Sequence, residues 1–308
     1  MSRIHEALQR AYRERGKLPA SEDNQVAELT ITPAPEELPL VKPELVLENI
    51  AQHPWKPMTA AFPTLTDRGA GVEQFRRLRS HIYQAHSEAP LKTILIASGM
   101  PSEGKSFVAA NLAMSMARNS VNNILLIDGD LRRPTLHNLL GAPSTPGLSD
   151  YLDGTADLID VMQRYRSPET AEDASADVIS NLTFIPSGKS SDNSSELAAN
   201  HRIEELIARV SSHFNWIVID SPPVLAVTDA VDLARAADAI LLIARESSTP
   251  YDVAQRTQAV FSNSRILGFV LNAVKEAPRK GSYSYDYYYH NSGSEGAGRA
   301  REAKDRRE

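Results

Sequence analysis

The residues best equipped for chemistry lie between Gly99 and Ser106, which read Gly-Met-Pro-Ser-Glu-Gly-Lys-Ser. This is the G-x-x-x-x-G-K-[ST] spacing of a phosphate-binding loop. Gly99 and Gly104 permit a tight backbone, Lys105 reaches outer phosphates, and the Ser106 hydroxyl can sit on Mg2+. An apolar run, Lys92 to Ala97, leads in as a strand, and Phe107 to Arg118 leads out as a helix. A strand, this loop and a helix gather backbone N–H groups and a helix N-terminus around one anion. The whole run Gly99, Met100, Pro101, Ser102, Glu103, Gly104, Lys105, Ser106 and Phe107 is therefore a candidate ATP site. The alternative is a chance match in a Gly/Ser-rich turn, and both flanks argue against it.

Two further apolar runs end in carboxylates. In Ile124–Pro134 (ILLIDGDLRRP), Asp128 and Asp130 flank Gly129 where a strand gives way to loop. They can serve a metal shell or activate a nucleophile; alternatively Asp130 caps the following turn and pairs with Arg132 or Arg133. In Trp216–Val224 (WIVIDSPPV), Asp220 ends the strand in the Walker-B arrangement, where the acid holds Mg2+ or its water. Ser221-Pro222-Pro223 then forces an irregular turn. Asp229 is a weaker candidate, and Thr228 before it suits a helix N-cap. These parts define Mg2+-ATP chemistry at the terminal phosphate. Lys105 stabilises charge; Ser106, Asp130 and Asp220 arrange the metal; Asp128 takes a proton or orients water. They do not separate a kinase from an ATPase switch.

The C-terminal region bears on that choice. Five of the ten tyrosines, Tyr283, Tyr285, Tyr287, Tyr288 and Tyr289, fall within residues 281–290. Such a cluster lacks the apolar support of a strand and the basic groove that base stacking on nucleic acid requires. An enzyme acting on phenols can use it as its own substrate, each phosphate adding about −1.5 to −2 charges. A merely adhesive tail is the alternative. Arg245 and Asn272, each after an apolar run, are candidates for the adenine side of the pocket, or simple surface and capping residues.

The elements that must position these groups follow from periodicity. Strand-length apolar runs are Lys92–Ala97, Asn123–Asp128, Leu182–Ile185, Trp216–Asp220, Ala239–Ala244 and Ile266–Leu271, with helical stretches at 104–118, 196–212, 229–237 and 251–263. Such uniformly apolar strands belong to a sheet covered on both faces. The expected fold is α/β: a P-loop NTPase with a doubly wound, mostly parallel sheet and helices on both faces, ligands lying beyond the strand carboxyl ends. Gly147–Gly154 reads as a short helix in an otherwise irregular stretch, and Ser187 to Ser195 as a surface loop. Residues 71–86 form an amphipathic helix burying Phe75, Leu78, Ile82 and Tyr83. On another stripe Glu73, Arg76 and Arg79 lie three apart, either a solvated ion-paired face or a subunit interface.

The expected division is a short amphipathic helix over 1–15, capped by Ser2; a Pro-rich disordered linker over 16–69; a P-loop domain over 70–277; and a flexible Tyr-rich tail over 278–308. The linker holds eight of the 19 prolines among 308 residues. Hydrophobic content of 42% supports a core, and a net charge of −6 gives no global basic field for nucleic acid. There is no cysteine, which excludes disulfides and zinc–thiolate sites, and the eight His show no metal-ligand spacing. No apolar run approaches the ~20 residues of a membrane span, and no signal peptide is evident. A soluble intracellular protein is expected, unless another chain brings it to a membrane.

Taken together, SGMPSEGKS, LLIDGDLRRP, WIVIDSPPVL with VTDA, and the tyrosine cluster resemble the bacterial tyrosine kinases of capsule and exopolysaccharide synthesis, over roughly residues 70 to 290. That family's E-x-x-R-x-x-R helix appears as Glu73, Arg76 and Arg79. The resemblance implies ATP and Mg2+ as cofactors, trans autophosphorylation of the tail and ring assembly through the 71–86 helix. It also implies a separate transmembrane polysaccharide co-polymerase adaptor, a cognate tyrosine phosphatase, no nucleic acid, and a cytoplasmic location at the inner face of the plasma membrane. Two departures stand out: Phe107 replaces a common Thr, and a charged segment follows the tyrosines to Glu308. The alternative is a partition- or division-type P-loop ATPase switch, whose extra lysine early in the loop is here Met100. A non-catalytic nucleotide-binding scaffold is a third reading, opposed by the intact Asp128, Asp130 and Asp220.

Overall fold

Strand β2 (Thr93–Ser98) is wholly buried, and the rest of the fold is laid out on either side of it. The computed structural model describes residues 45–66, 68–166, 179–189, 196–197 and 201–275. Within them lies an eight-stranded sheet of order β1-β4-β5-β3-β6-β2-β7-β8. The strands are β1 (Ala51–His53), β2, β3 (Ile124–Asp128), β4 (Gln163–Tyr165), β5 (Leu182–Ile185), β6 (Trp216–Asp220), β7 (Ala239–Arg245) and β8 (Ile266–Asn272). From β5 to β8 across the sheet all neighbours are parallel. After β2 the chain moves out to β3 and β5, returns through β6, and then crosses to β7 and β8. The order therefore reverses beside β2, where such sheets open a crevice at their carboxyl edge.

Alternation along each strand feeds two cores. Leu95, Leu125, Ile127, Ile217, Ile219 and Leu242 face one layer, while Ile94, Ile96, Leu126, Val218, Leu241 and Ile243 face the other. The second layer is roofed by α1 (Ala70–Glu88), α2 (Lys105–Ala117) and α3 (Leu136–Leu140), through Phe75, Ile82, Val108, Leu112, Leu136 and Leu140. On the first lie α4 (Leu148–Asp153), α5 (Arg202–Val210) and α6 (Asp229–Arg235), through Tyr151, Leu152, Leu206, Val210 and Leu233. Helix α7 (Tyr251–Val260) leads from β7 to β8. No described helix is long and apolar enough to cross a membrane.

The expectation of a disordered linker over 16–69 needs correction for residues 45–66. They form a strap fixed to the domain, so the folded body begins before residue 70. Strand β1 pairs with β4, and β4 runs antiparallel to β5. Trp55 and Phe62 are buried in the second of the two cores. Trp55 packs edge-on against Phe184 and donates its indole N–H to Gln163 Oε1 at 3.1 Å. Farther on, Thr64 donates its hydroxyl to Asn111 Oδ1 at 2.8 Å, and the Asn111 amide returns a bond to the Ala61 carbonyl at 2.9 Å. Proline density concealed these anchors, which add burial and side-chain hydrogen bonds to the backbone pairing of the strap. The segment 1–15, expected as a helix, and the tail tyrosines lie outside the described residues.

Candidate active site

The loop after β2 reaches α2 through Gly104, whose φ of +96° lies in the left-handed region that glycine tolerates. The Asn272 amide occupies the space that a Cβ at this position would need. Lys105 and Ser106 open α2, and Lys105 is buried. The Ser106 hydroxyl accepts a hydrogen bond from the Thr135 hydroxyl at 2.9 Å.

Asp128 and Asp220 end adjacent strands and are direct partners across the β3–β6 pair. Gly129 makes this approach possible: its N–H donates to the Asp220 carbonyl at 3.0 Å, and a Cβ there would lie 2.5 Å from that oxygen. Both carboxylates are 0% exposed. Asp128 Oδ2 accepts the N–H groups of Thr135 at 3.2 Å and Leu136 at 3.1 Å, at the entry to α3, and Oδ1 accepts the Asp130 N–H at 3.3 Å. Burial, then the Asp220 charge, push the Asp128 carboxyl well above the usual range. Burial also raises Asp220, to about 7, opposed by the Ser106 hydroxyl and the Lys105 charge. Asp220 Oδ1 accepts the Ser221 N–H at 3.1 Å, whereas Oδ2 is buried without a hydrogen-bond partner. Lys105, Ser106, Asp128 and Asp220 are thus gathered at one mouth, on the same edge of the sheet.

Two adjacent buried carboxylates with raised pKa values and an orphaned oxygen resist ionising, and a hard cation would stabilise their charged form. An Oγ and carboxylate oxygens are the donors that Mg2+ takes. Among the described residues no group of three or more His, Cys, Asp or Glu forms a metal cage. Mg2+ held against phosphates needs only one or two carboxylates, so the residues present fit it.

The other expected residues divide. Asp130 Oδ1 accepts the N–H groups of Arg132 at 3.3 Å and Arg133 at 2.9 Å, so this carboxylate closes the turn after β3. Arg132 pairs by its side chain with buried Asp229, Nε to Oδ2 at 3.0 Å. Thr228 occupies the N-cap of α6 without a side-chain capping bond. Arg245 and Asn272, candidates for the adenine side, both reach the phosphate loop. Arg245 donates to the Ser102 carbonyl at 3.2 Å, and Asn272 to the Glu103 carbonyl at 2.9 Å. Phe107 turns towards α1, its ring 5.9 Å from that of Phe75. On α1, Arg76 pairs with Glu73 at 2.6 Å, and Arg79 donates to the Ser115 carbonyl on α2. The groove beside them, about 530 Å3, is lined by Arg76, Arg79, Ser80, Tyr83, Arg118 and Asn119.

Sequence reasoning missed Thr135 and Thr249. Thr135 touches Ser106 by its side chain and Asp128 by its amide. Thr249 donates to the Glu103 carboxylate. A hydroxyl directly before Pro250 at a helix start was the one local signal for Thr249; nothing local marked Thr135.

An AAA domain family matches residues 91–258. The tyrosine-protein kinase wzc of Salmonella typhimurium is 34% identical over 226 residues, 72% of this chain and 30% of that protein. The tyrosine-protein kinase YwqD of Bacillus subtilis is 32% identical over 218 residues, 70% of this chain and 85% of that protein. The chain therefore spans less than a third of the first relative's length and most of the second's. In structure it is similar to the kinase domain of the Escherichia coli tyrosine kinase ETK, with a TM-score of 0.63 and 30% identity, over 73% of this chain and 84% of that one. The fold and mouth are those of a P-loop nucleotide-binding protein. Within that class, the chain belongs to the bacterial tyrosine-protein kinases.

Proposed function

We propose that this chain is an ATP- and Mg2+-dependent protein-tyrosine kinase that phosphorylates, in trans, the cluster Tyr283, Tyr285, Tyr287, Tyr288 and Tyr289 of a second copy. The observation carrying this reading is the pairing of buried Asp128 and Asp220 beside Lys105 and Ser106. Lys105 and backbone amides of the loop towards the start of α2 hold the outer phosphates, with Arg245 and Asn272 bracing the loop. Bound Mg2+, held by Ser106, Asp130 and Asp220, supplies charge neutralisation across the phosphates. A tail phenol oxygen bonds to the γ-phosphorus, the bond to the ADP oxygen breaks, and the phenol proton passes to Asp128. Burial raises the pKa of Asp128, so its ionised carboxylate is a stronger base for that proton than an exposed one.

The wider role follows the family resemblance. Copies assemble in a ring through α1 with Glu73, Arg76 and Arg79. A separate transmembrane polysaccharide co-polymerase holds the kinase at the inner face of the plasma membrane, and a cognate phosphatase resets the tail. The cycle regulates exopolysaccharide or capsule polymerisation and export. The partial exposure of the Glu73–Arg76 pair supports a face open to a neighbour.

The test is incubation of the purified chain with labelled ATP and Mg2+, followed by phosphopeptide mapping. The expected result is tail phosphotyrosine in the parent and a loss of about a hundredfold or more in Lys105→Met and Asp128→Asn. ATP hydrolysis with an unmodified tail, adaptor supplied, would instead indicate a switch ATPase. Replacing Glu73, Arg76 and Arg79 together by Ala should yield a monomer by light scattering; an unchanged oligomer removes the interface role.

A further inference from the structure

Glu103 is an unusual occupant of a phosphate loop. The spacing leaves its position open to any residue, and a carboxylate there lies close behind the seat of a polyanion. Yet its side chain is 1% exposed. Burying a carboxylate is costly unless hydrogen bonds replace the lost water. Among the described residues no cation pairs with it. Instead Glu103 Oε2 accepts the Met100 N–H at 2.7 Å, and Oε1 accepts the Thr249 hydroxyl.

Thr249 is itself held. Its hydroxyl oxygen accepts the Arg245 N–H at 2.8 Å, and its own N–H donates to the Arg245 carbonyl at 3.0 Å. The turn 245–249 after β7 is thus closed on itself, and the Glu103 carboxylate docks on it. Arg245 and Asn272 grip the backbone on either side of the same residue, at the Ser102 and Glu103 carbonyls. The loop needs this restraint, because Ser102 has a φ of +62°, a left-handed conformation that a non-glycine residue keeps only when its surroundings enforce it.

We propose that Glu103 is a positioning residue, locked to Thr249 so that the phosphate loop holds its shape before nucleotide arrives. The proposal rests on the nucleotide-site reading above. The charge and the geometry of Glu103 act in opposite directions, which makes the proposal decidable. By charge alone, removing a carboxylate beside a polyphosphate seat tightens binding. By preorganisation, removing it frees the Met100 amide and loosens the loop, so binding weakens.

The experiment uses the full chain, with Glu103→Ala, Thr249→Val, Thr249→Ser and the Glu103→Ala/Thr249→Val double variant. Affinity for Mg-ADP is measured by calorimetry, amide hydrogen exchange is read over Gly99–Lys105 without ligand, and thermal unfolding controls for folding. The expected result is about tenfold weaker binding in Glu103→Ala and in Thr249→Val, no further loss in the double variant, and recovery in Thr249→Ser. Exchange at the Met100 amide should quicken in the two weakened single variants. Should Glu103→Ala misfold, Thr249→Val carries the test, since it leaves the carboxylate in place. Unchanged or tighter binding in a folded Thr249→Val or Glu103→Ala overturns the positioning role. A parent chain that binds no Mg-ADP overturns the nucleotide site itself and the proposal with it.

Discussion

The mouth of the sheet and the strap over α2 bury polar groups in opposite conditions. Under the strap, Asn111 of α2 is fully used: its amide donates to the Ala61 and Phe107 carbonyls, and its oxygen accepts the Thr64 hydroxyl. At the mouth, Asp128 and Asp220 stand side by side with raised pKa values, and Asp220 Oδ2 has no partner. A satisfied buried polar group locks a packing arrangement, whereas an unsatisfied one stores an electrostatic demand that a ligand can meet. The strap is thus complete without ligand and the mouth is not.

Mutations at the two places should therefore move stability in opposite directions. The largest effect is expected from Phe62→Ala, which empties a fully buried site and should cost about 3–5 kcal/mol in a denaturant titration. A midpoint near that of the parent would mean the strap is only loosely applied. Asn111→Ala should cost about 1–3 kcal/mol, because it strands the Thr64 hydroxyl and the Ala61 carbonyl together. Asp220→Asn should instead raise ligand-free stability by about 1 kcal/mol at pH 8 while weakening Mg2+-dependent nucleotide binding. Destabilisation of that variant would show that the Asp220 charge is already compensated.

The subtlest effect is on pH dependence. Asp220 is raised from an ordinary 3.8 to about 7, so between these values the folded chain binds the extra proton. Its stabilising contribution is fully present below about pH 4 and is lost as pH rises through about 7. Nucleotide affinity in Mg2+ should rise through the same interval, since the cation competes with that proton. Asp220→Asn should lessen the slope of both profiles, leaving the part due to Asp128, and a parent whose profiles are already flat would contradict the shift.

Where the two regions differ in chemistry they also differ in legibility. Strands β2, β3 and β6 are runs of branched apolar residues ending in Ser98, Asp128 and Asp220, and each was readable alone. Strands β1 and β4 were not, because Ala51–His53 and Gln163–Tyr165 carry no apolar alternation and exist only through pairing. The strap read as linker because proline spacing dominates it, although Trp55 and Phe62 decide its fate. At the mouth, Lys105 and the strand-end acids were legible by spacing. Thr135 and Thr249 were not, since they meet Ser106 and Glu103 across 29 and 146 residues.

By itself the sequence determined the loop spacing, the two acidic strand ends and the alternation that covers the sheet on both faces, because each depends on neighbours within a few residues. The tertiary structure alone decided which carboxylates face each other and that Arg245 and Asn272 brace the loop. It also decided that the strap is part of the body. These outcomes depend on distances between distant segments and on how far each charge is taken from water, quantities that no local pattern encodes.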